Sequence, residues 1–380
     1  MTTSPQRTAT TTGAGAEGPP GTPQDGSDPS GRGLATGRRA RLANRIRVLR
    51  ASFRENWALF KRNRIGVVGL VVIAIFAIMA LLHPILMDTV WDPERYHPVV
   101  GYSAQEVELT VVEEIENPGQ EIDLQRAQLR HDPTIQVGDT VEDTIQPAPP
   151  SLDHPLGTDP LGRDVLSQLM LGAQTAFGMG AVAAMTTVIV ATFIGSVAAY
   201  FRGWVDTVSM RSADFFLLLP PIPFLIFLSA IYDLNMVTLG LVFGLVSGAG
   251  STAIVLKSQA LTVAVKPFID SARVAGASGM QVVLRHVIPN VLPLTFLYMM
   301  FTVSGAISAE AILSTFGLID LPMSWGIMIQ TANDAGYILR GVEYWWLLFP
   351  AGLAVTFLAF AFYLFGRGMD EVVNPRLRQR

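Results

Sequence analysis

The sequence predicts an all-α membrane protein of six transmembrane helices that carries a small, partly β insertion outside the membrane. Three observations lead there. Half of the 380 residues are hydrophobic and only 15% are charged, with a mean hydropathy of +0.39; soluble domains carry about 25% charged residues. Apolar stretches long enough to cross roughly 30 Å of hydrocarbon recur along the chain. Basic residues gather at alternate ends of these stretches, so the net charge of −4 says little as a sum.

Residues 1–36 are mostly Thr, Gly, Pro and Ser, too polar to bury a core, and read as a disordered cytoplasmic tail without the apolar region of a secretory signal. Residues 37–64 are rich in arginine, with Leu42, Ile46, Leu49, Phe53, Trp57 and Phe60 stepping by three and four. That spacing makes a basic amphipathic helix suited to an anionic lipid surface. So many arginines would also suit nucleic acid, but a membrane span follows at once and argues against it. Residues 65–87 form the first span; arginines precede it and Asp88, Asp92 and Glu94 follow, which puts the N-terminus in the cytoplasm. His83, near its outer end, reads as an interfacial histidine.

Residues 88–174 form an acidic extracytoplasmic region, with about four carboxylates to each basic residue. Residues 106–116 alternate as a strand would, and Asn117-Pro118-Gly119 reads as a turn. A small β subdomain and a flexible charged loop both fit. Pro147, Pro149 and Pro150 make a spacer. Gly157, Asp159, Gly162, Arg163 and Asp164 then form a polar turn that opens an amphipathic helix, and Arg163 and Asp164 are expected to pair with neighbours.

The core spans 175–366. Its second span covers 176–201, and Arg202, Asp206 and Arg211 mark a cytoplasmic turn. The third, 212–232, must kink at Leu219–Pro223, because each proline removes a backbone donor. Broken helices are tolerated in membranes where they line an interior or a cavity, so Pro220 and Pro221 are candidates for a pathway or outer gate. The fourth, 236–257, presents Gly240, Gly244, Gly248 and Gly250 for close helix packing. The fifth, 291–313, contains Glu310. A carboxylate there costs about a few kcal/mol at the bilayer centre. It marks either a pathway or outer gate, or, at the interface, a loop anchor. An outer loop, 314–343, carries Gly317, Pro322, Trp325 and Gly326. Trp345 and Trp346 read as an aromatic belt opening the sixth span, 344–366, and arginines in 367–380 place the C-terminus inside.

Between the fourth and fifth spans lies the stretch the rest is organised around, 262–289. Lys266, Asp270, Arg273, Arg285 and His286 stand among Ala, Val and Ile, so one helical face is apolar and the other charged. Gly276 and Gly279 interrupt the helix, and a second short helix is expected over 280–286, before Pro289 and Pro293. The stretch is too polar to span a bilayer and too short for a domain. Two short helices on the water side, presenting one face, is the direct reading; taken alone, an ordinary interhelical loop fits as well.

Nothing points to catalysis. There is no cysteine, and the five histidines, His83, His97, His131, His154 and His286, are scattered, so no metal centre is expected. None of the three lysines, Lys61, Lys257 and Lys266, follows a Walker glycine pattern, so ATP is not expected to bind here, and no cofactor is indicated. Few ionisable residues lie along the spans, which disfavours a proton-driven carrier. A passive membrane path with a docking element remains.

The motifs carry a resemblance. Asp270-Ser271-Ala272, then Gly276, then His286-Val287-Ile288-Pro289 resembles the Glu-Ala-Ala loop of ABC importer permeases. RHVIPN (285–290), LGTDPLGRDVLSQLMLGAQ (156–174), AEAILSTFGL (309–318), SWG (324–326), WWLLFPAGLA (345–354) and NPRLR (374–378) resemble the second, C-type permease subunit of the dipeptide, oligopeptide and nickel importers. The likeness covers roughly residues 56–378. It implies the MetI-like permease fold and half of a translocation pathway for di- or oligopeptides. It also implies a second permease subunit, two separate ATPase subunits and an extracytoplasmic substrate-binding protein, in the inner membrane. Asp270, Ala272, Arg273, Ala275, Gly276, Ala277, Arg285, His286 and Pro289 would form the ATPase-coupling loop, with Gly276 making its turn. Asp270 stands where the family has Glu, Ser271 where it has Ala, and Gln174 where arginine is usual. The long acidic insertion is unusual for the family, and one reading is that it contacts the binding protein. An ATP-independent channel or secondary carrier is the alternative function.

Overall fold

The computed structural model describes residues 57–373 apart from 104, 111–123, 125–127 and 129–133. The tail 1–36, most of the basic helix expected over 37–64, the turn at Asn117 and residues 374–380 lie outside them. Among the described residues, five helices are long and apolar enough to cross a membrane, and a bent pair makes a sixth candidate.

The chain enters α1 (Arg64–Thr89), which Asn63 caps through its side chain. A single turn, α2 (Pro93–Tyr96), leads to an antiparallel ribbon of β1 (Gln105–Thr110) and β2 (Thr140–Ile145). The expected strand is therefore real over its first part. Next comes α3 (Val165–Phe201), 37 residues without an internal proline. The amphipathic helix that the polar turn opens and the second span are thus not separate elements: Asp164 caps the helix and nothing breaks it, so its first ten residues lie within the expected outer region. α3 is the hub, and α1 and every later span pack on it.

α4 (Gly203–Leu218) and α5 (Pro221–Ser229) form the bent pair, with 80° between them. Leu219 is extended because a residue before proline avoids the helical region, and Pro221 starts the next helix where its missing N–H is not needed. α6 (Met236–Ser247) follows, then a π turn (Gly248–Thr252), then α7 (Ala253–Ala264). The fourth span therefore runs seven residues beyond the expected 257. Its glycines explain its fit to α3. A Cβ at Gly244 would lie 2.5 Å from the Ala183 carbonyl oxygen, and one at Gly248 3.0 Å from the Thr187 Cα. Such backbone contact gives the dispersion that holds helices together in lipid. Gly250 lets the last turns of α4 approach the π turn, where a Cβ would lie 3.3 Å from the Leu217 backbone nitrogen.

α8 (Pro267–Val274) and α9 (Gly279–Val282) form an elbow. Here the structure corrects the sequence reading. The second elbow helix does not stop before Pro289 but passes through a π turn (Val283–Val287) directly into α10 (Ile288–Thr315). The wider turn disrupts the i to i−4 ladder just where Pro289 has no N–H to give, so the proline costs little. The outer loop expected over 314–343 is also partly helical, with α11 (Trp325–Asp334) capped by Ser324 and a 3-10 stretch (Tyr337–Tyr344) before α12 (Trp345–Val373).

Two tryptophans, Trp325 of the expected outer loop and Trp346 of the expected aromatic belt, are core residues. Trp325 is wholly buried and donates from Nε1 to the Leu169 carbonyl at 2.9 Å, against Phe76 and the bare backbone at Gly172. Trp346 is only 7% exposed and donates to the Thr158 carbonyl at 3.2 Å; Trp345 stays half exposed. A tryptophan near a span end suits a headgroup belt, but a tertiary pocket with a carbonyl acceptor takes the ring more completely.

Candidate functional site

Two polar assemblies lie at opposite ends of α3. The first is the elbow. Pro267 fixes the first turn of α8, Asp270 stands in that turn and Arg273 in the last, so both charges suit the helix dipole. Ile269 is buried while Asp270, Ser271, Arg273, Val274, Ala275 and Gly276 are exposed. The helix ends by a paired closure: the Gly276 N–H donates to the Arg273 carbonyl at 3.0 Å and the Ala277 N–H to the Ala272 carbonyl at 3.1 Å. That closure needs a left-handed residue, and Gly276 has φ +85°. Ser278 then caps α9 in a reciprocal box with Gln281. A Cβ at Gly276 would meet nothing within 4 Å. The glycine thus serves its backbone angle, and the space around it is open.

The elbow's open face is mixed. Asp270 and Arg273 pair at 3.2 Å, Val274 is 89% exposed, and Val265 and Lys266 lie beside them. Arg273 Nε donates to the Tyr200 hydroxyl at 3.1 Å, and that bond, with Asp270 nearby, holds the guanidinium above its ordinary pKa. Ala272 and Ala277 pack toward the buried cluster of Ile269, Val282, Val287 and Val291. Arg285 and Pro289 are exposed, and the His286 ring lies near Phe268, with 6.3 Å between centroids. The candidate coupling residues thus form one continuous element, although Arg285, His286 and Pro289 belong to the root of α10 rather than to a separate helix.

The second assembly holds the outer motif. Asp159 Oδ1 accepts from the Leu161 and Arg163 N–H groups, each at 2.9 Å. Its Oδ2 accepts from Arg163 Nε at 2.7 Å and Gln168 Nε2 at 2.9 Å. Gly157 (φ +73°) and Gly162 (φ +77°) turn the chain on either side. Asp164 caps α3 by accepting from the Ser167 N–H at 2.6 Å, and its other oxygen meets His154 Nδ1 at 2.8 Å. His154 Nε2 lies 2.9 Å from Ser103 Oγ, and His83 Nε2 of α1 lies 3.2 Å from Ser167 Oγ. Apart from Leu161, all of these residues are buried. The pairing expected of Arg163 and Asp164 is present. His154 and Ser103 went unassigned by sequence, and His83, read there as an interfacial histidine, is buried against Ser167.

The gate candidates do not come together. Pro220 and Pro221 lie exposed at the break between α4 and α5. Glu310 is 1% exposed and hydrogen-bonded by Ser314 Oγ at 2.6 Å and by Ser324, beneath the start of α11. It does not line an open path in this conformation; a desolvated carboxylate needs donors, and these two serines supply them. Among the described residues, no group of three or more His, Asp or Glu could hold a metal ion.

Comparison with known families agrees with this layout. Residues 188–379 match the binding-protein-dependent transport system inner membrane component, and residues 52–98 match the N-terminal TM domain of oligopeptide transport permease C. The dipeptide transport system permease protein DppC of Bacillus subtilis is 27% identical over 328 residues, 86% of each chain. The oligopeptide transport system permease protein OppC of Haemophilus influenzae is 32% identical over 246 residues, 63% of this chain and 77% of that one. The glutathione transport system permease protein GsiD of Escherichia coli is 31% identical over 231 residues, 60% and 74%.

Proposed function

Because the chain belongs to the binding-protein-dependent transport system inner membrane components, and is a permease subunit of an ATP-driven importer, we propose that it carries di- or oligopeptides inward. In this reading it forms half of the path with a second permease subunit. Two separate ATPase subunits hydrolyse ATP and dock on the elbow, and a substrate-binding protein delivers cargo from outside. Both termini and the elbow face the cytoplasm, as the arginine distribution favours.

The observation that carries the reading is the elbow itself. Its glycine turn leaves a charged and apolar face that no element among the described residues covers. Closure of an ATPase dimer would push on that face and move the spans as rigid bodies. The test is co-purification. The intact chain should bring down the ATPase subunits, and Gly276→Arg should lose them. Peptide uptake by vesicles that contain no hydrolysing partner would instead establish a channel or secondary carrier.

The acidic insertion supports a second contact. It is held to the cap of α3 through Ser103, His154 and Asp164, and to the 3-10 stretch through the Tyr337 hydroxyl, which donates to the Gln146 carbonyl at 3.2 Å. In our reading it receives the binding protein.

A further inference from the structure

The elbow has two covalent routes into the membrane, and both contain irregular turns. α7 reaches it below the π turn Gly248–Thr252, where Gly250 leaves helical geometry altogether (φ −86°, ψ −119°). α10 leaves it through the π turn Val283–Val287. Such turns have poorer hydrogen-bond geometry than an α-helix and bend under load. α3 is not covalently joined to the elbow, yet it is continuous over roughly 55 Å at 1.5 Å per residue.

The end of α3 touches both arms of the elbow. On α8, Arg273 Nε donates to the Tyr200 hydroxyl, and the guanidinium carbon lies 4.8 Å from the Tyr200 ring centre. On α9, a Cβ at Gly279 would lie 2.9 Å from the Phe201 ring and 3.2 Å from Tyr200 Cε1. The two rings meet edge to face, with centroids 5.1 Å apart. Directly after them the chain reverses at Arg202, held at φ 56° and ψ −164°, a conformation that non-glycine residues rarely adopt. The reversal ends α3 at the two rings.

We propose that Tyr200 and Phe201 are positioning residues for energy coupling: they seat the elbow on α3, and movement of the elbow enters the membrane through α3 rather than along the chain. At the far end, α3 pulls on the outer assembly. Its Asp164 cap holds His154, its Leu169 carbonyl holds Trp325, and its Thr175 hydroxyl donates to the Met323 carbonyl at 2.8 Å. One rod therefore connects the elbow to the segment that carries α11 and to the anchor of the insertion. The inference rests on the reading of the elbow as the ATPase contact.

The test uses the reconstituted importer, with both permease subunits, the ATPases and the binding protein loaded from a mixed pool of short peptides. ATP hydrolysis per assembled complex is measured with and without loaded binding protein. Gly279→Ala drives a methyl group against the Phe201 ring, and Tyr200→Leu removes the ring that Arg273 covers. Each should cut the stimulation ratio roughly fivefold or more. Phe201→Leu alone should cut the ratio by a similar factor, and adding it to Gly279→Ala should cost little more, because both changes act on one contact. Tyr200→Phe, which removes only the hydroxyl, should lose about threefold and serves if Tyr200→Leu does not assemble. Parental stimulation in Gly279→Ala and in the Tyr200 variant overturns the proposal. So does a loss in the double variant as large as the product of the two single losses, which would mean that Gly279 and Phe201 act at separate places. Gly276→Arg separates the two readings: if it keeps its ATPases and its stimulation, the elbow is not the ATPase contact, and the seat falls with it.

Discussion

Replacing Asp164 by alanine is the sharpest probe of the outer assembly. The carboxylate does two jobs, capping α3 through the Ser167 N–H and holding the buried His154 ring. Losing a helix cap costs about 1 kcal/mol. Leaving a buried ring nitrogen without a partner costs about 1–3 kcal/mol more. The sum, roughly 2–4 kcal/mol, is a thirty- to several-hundred-fold change in the folded ratio. Asp164→Asn should be much milder, at about 1 kcal/mol. Its oxygen can still cap α3, and its amide N–H can donate to His154 Nδ1 if the imidazole takes the tautomer that donates from Nε2 to Ser103 Oγ. Ser103→Ala should cost about 1 kcal/mol and add little to Asp164→Ala, because both act on one ring. The assay is denaturant titration of the purified chain in detergent, followed by tryptophan fluorescence. Equal midpoints for Asp164→Ala and the parent, or an Asn variant as weak as the Ala variant, would refute the reasoning.

Three further outcomes are expected. Gly244→Val should destabilise the chain by about 1–3 kcal/mol in the same titration, because its Cβ meets the Ala183 carbonyl, whereas Gly352→Ala should be silent, since nothing lies within 4 Å of it. Arg202→Gly should raise the midpoint by about 1 kcal/mol by relieving the positive φ at the reversal; an unchanged midpoint would mean the turn stores no strain. Replacing residues 105–145 with a short Gly-Ser linker, which keeps Ser103 and Gln146, should abolish capture of the binding protein on immobilised vesicles while ATPase co-purification persists. Retained capture would show that the insertion is not the docking surface.

The spans were legible because each is a long apolar run, and α8 with Gly276 was legible because amphipathic spacing ends at a residue free to take positive φ. The outer motif was half legible. Asp159 and Arg163 are four residues apart and pair locally, but His154 meets a serine 51 residues away and His83 one 84 residues away. No periodicity records a contact of that range. The continuation of α9 into α10 was hidden because Pro289 looks like a stop and a π turn has no sequence signature. Trp346 was misplaced for a related reason: a large aromatic near a span end suits lipid headgroups and a tertiary pocket equally, and only packing decides.

The π turn at Val283–Val287 has a consequence for how this chain tolerates change in length. A π turn holds about one residue more than an α turn. A deletion of one position there would let the backbone wind as ordinary helix, and Ile307 and Glu310 would keep the azimuth they have now. The surplus residue is thus dispensable for the register of α10. Its loss would, however, bring Pro289 into an ordinary ladder against the Arg285 carbonyl, so the wider turn is what lets the fifth span begin on a proline without breaking.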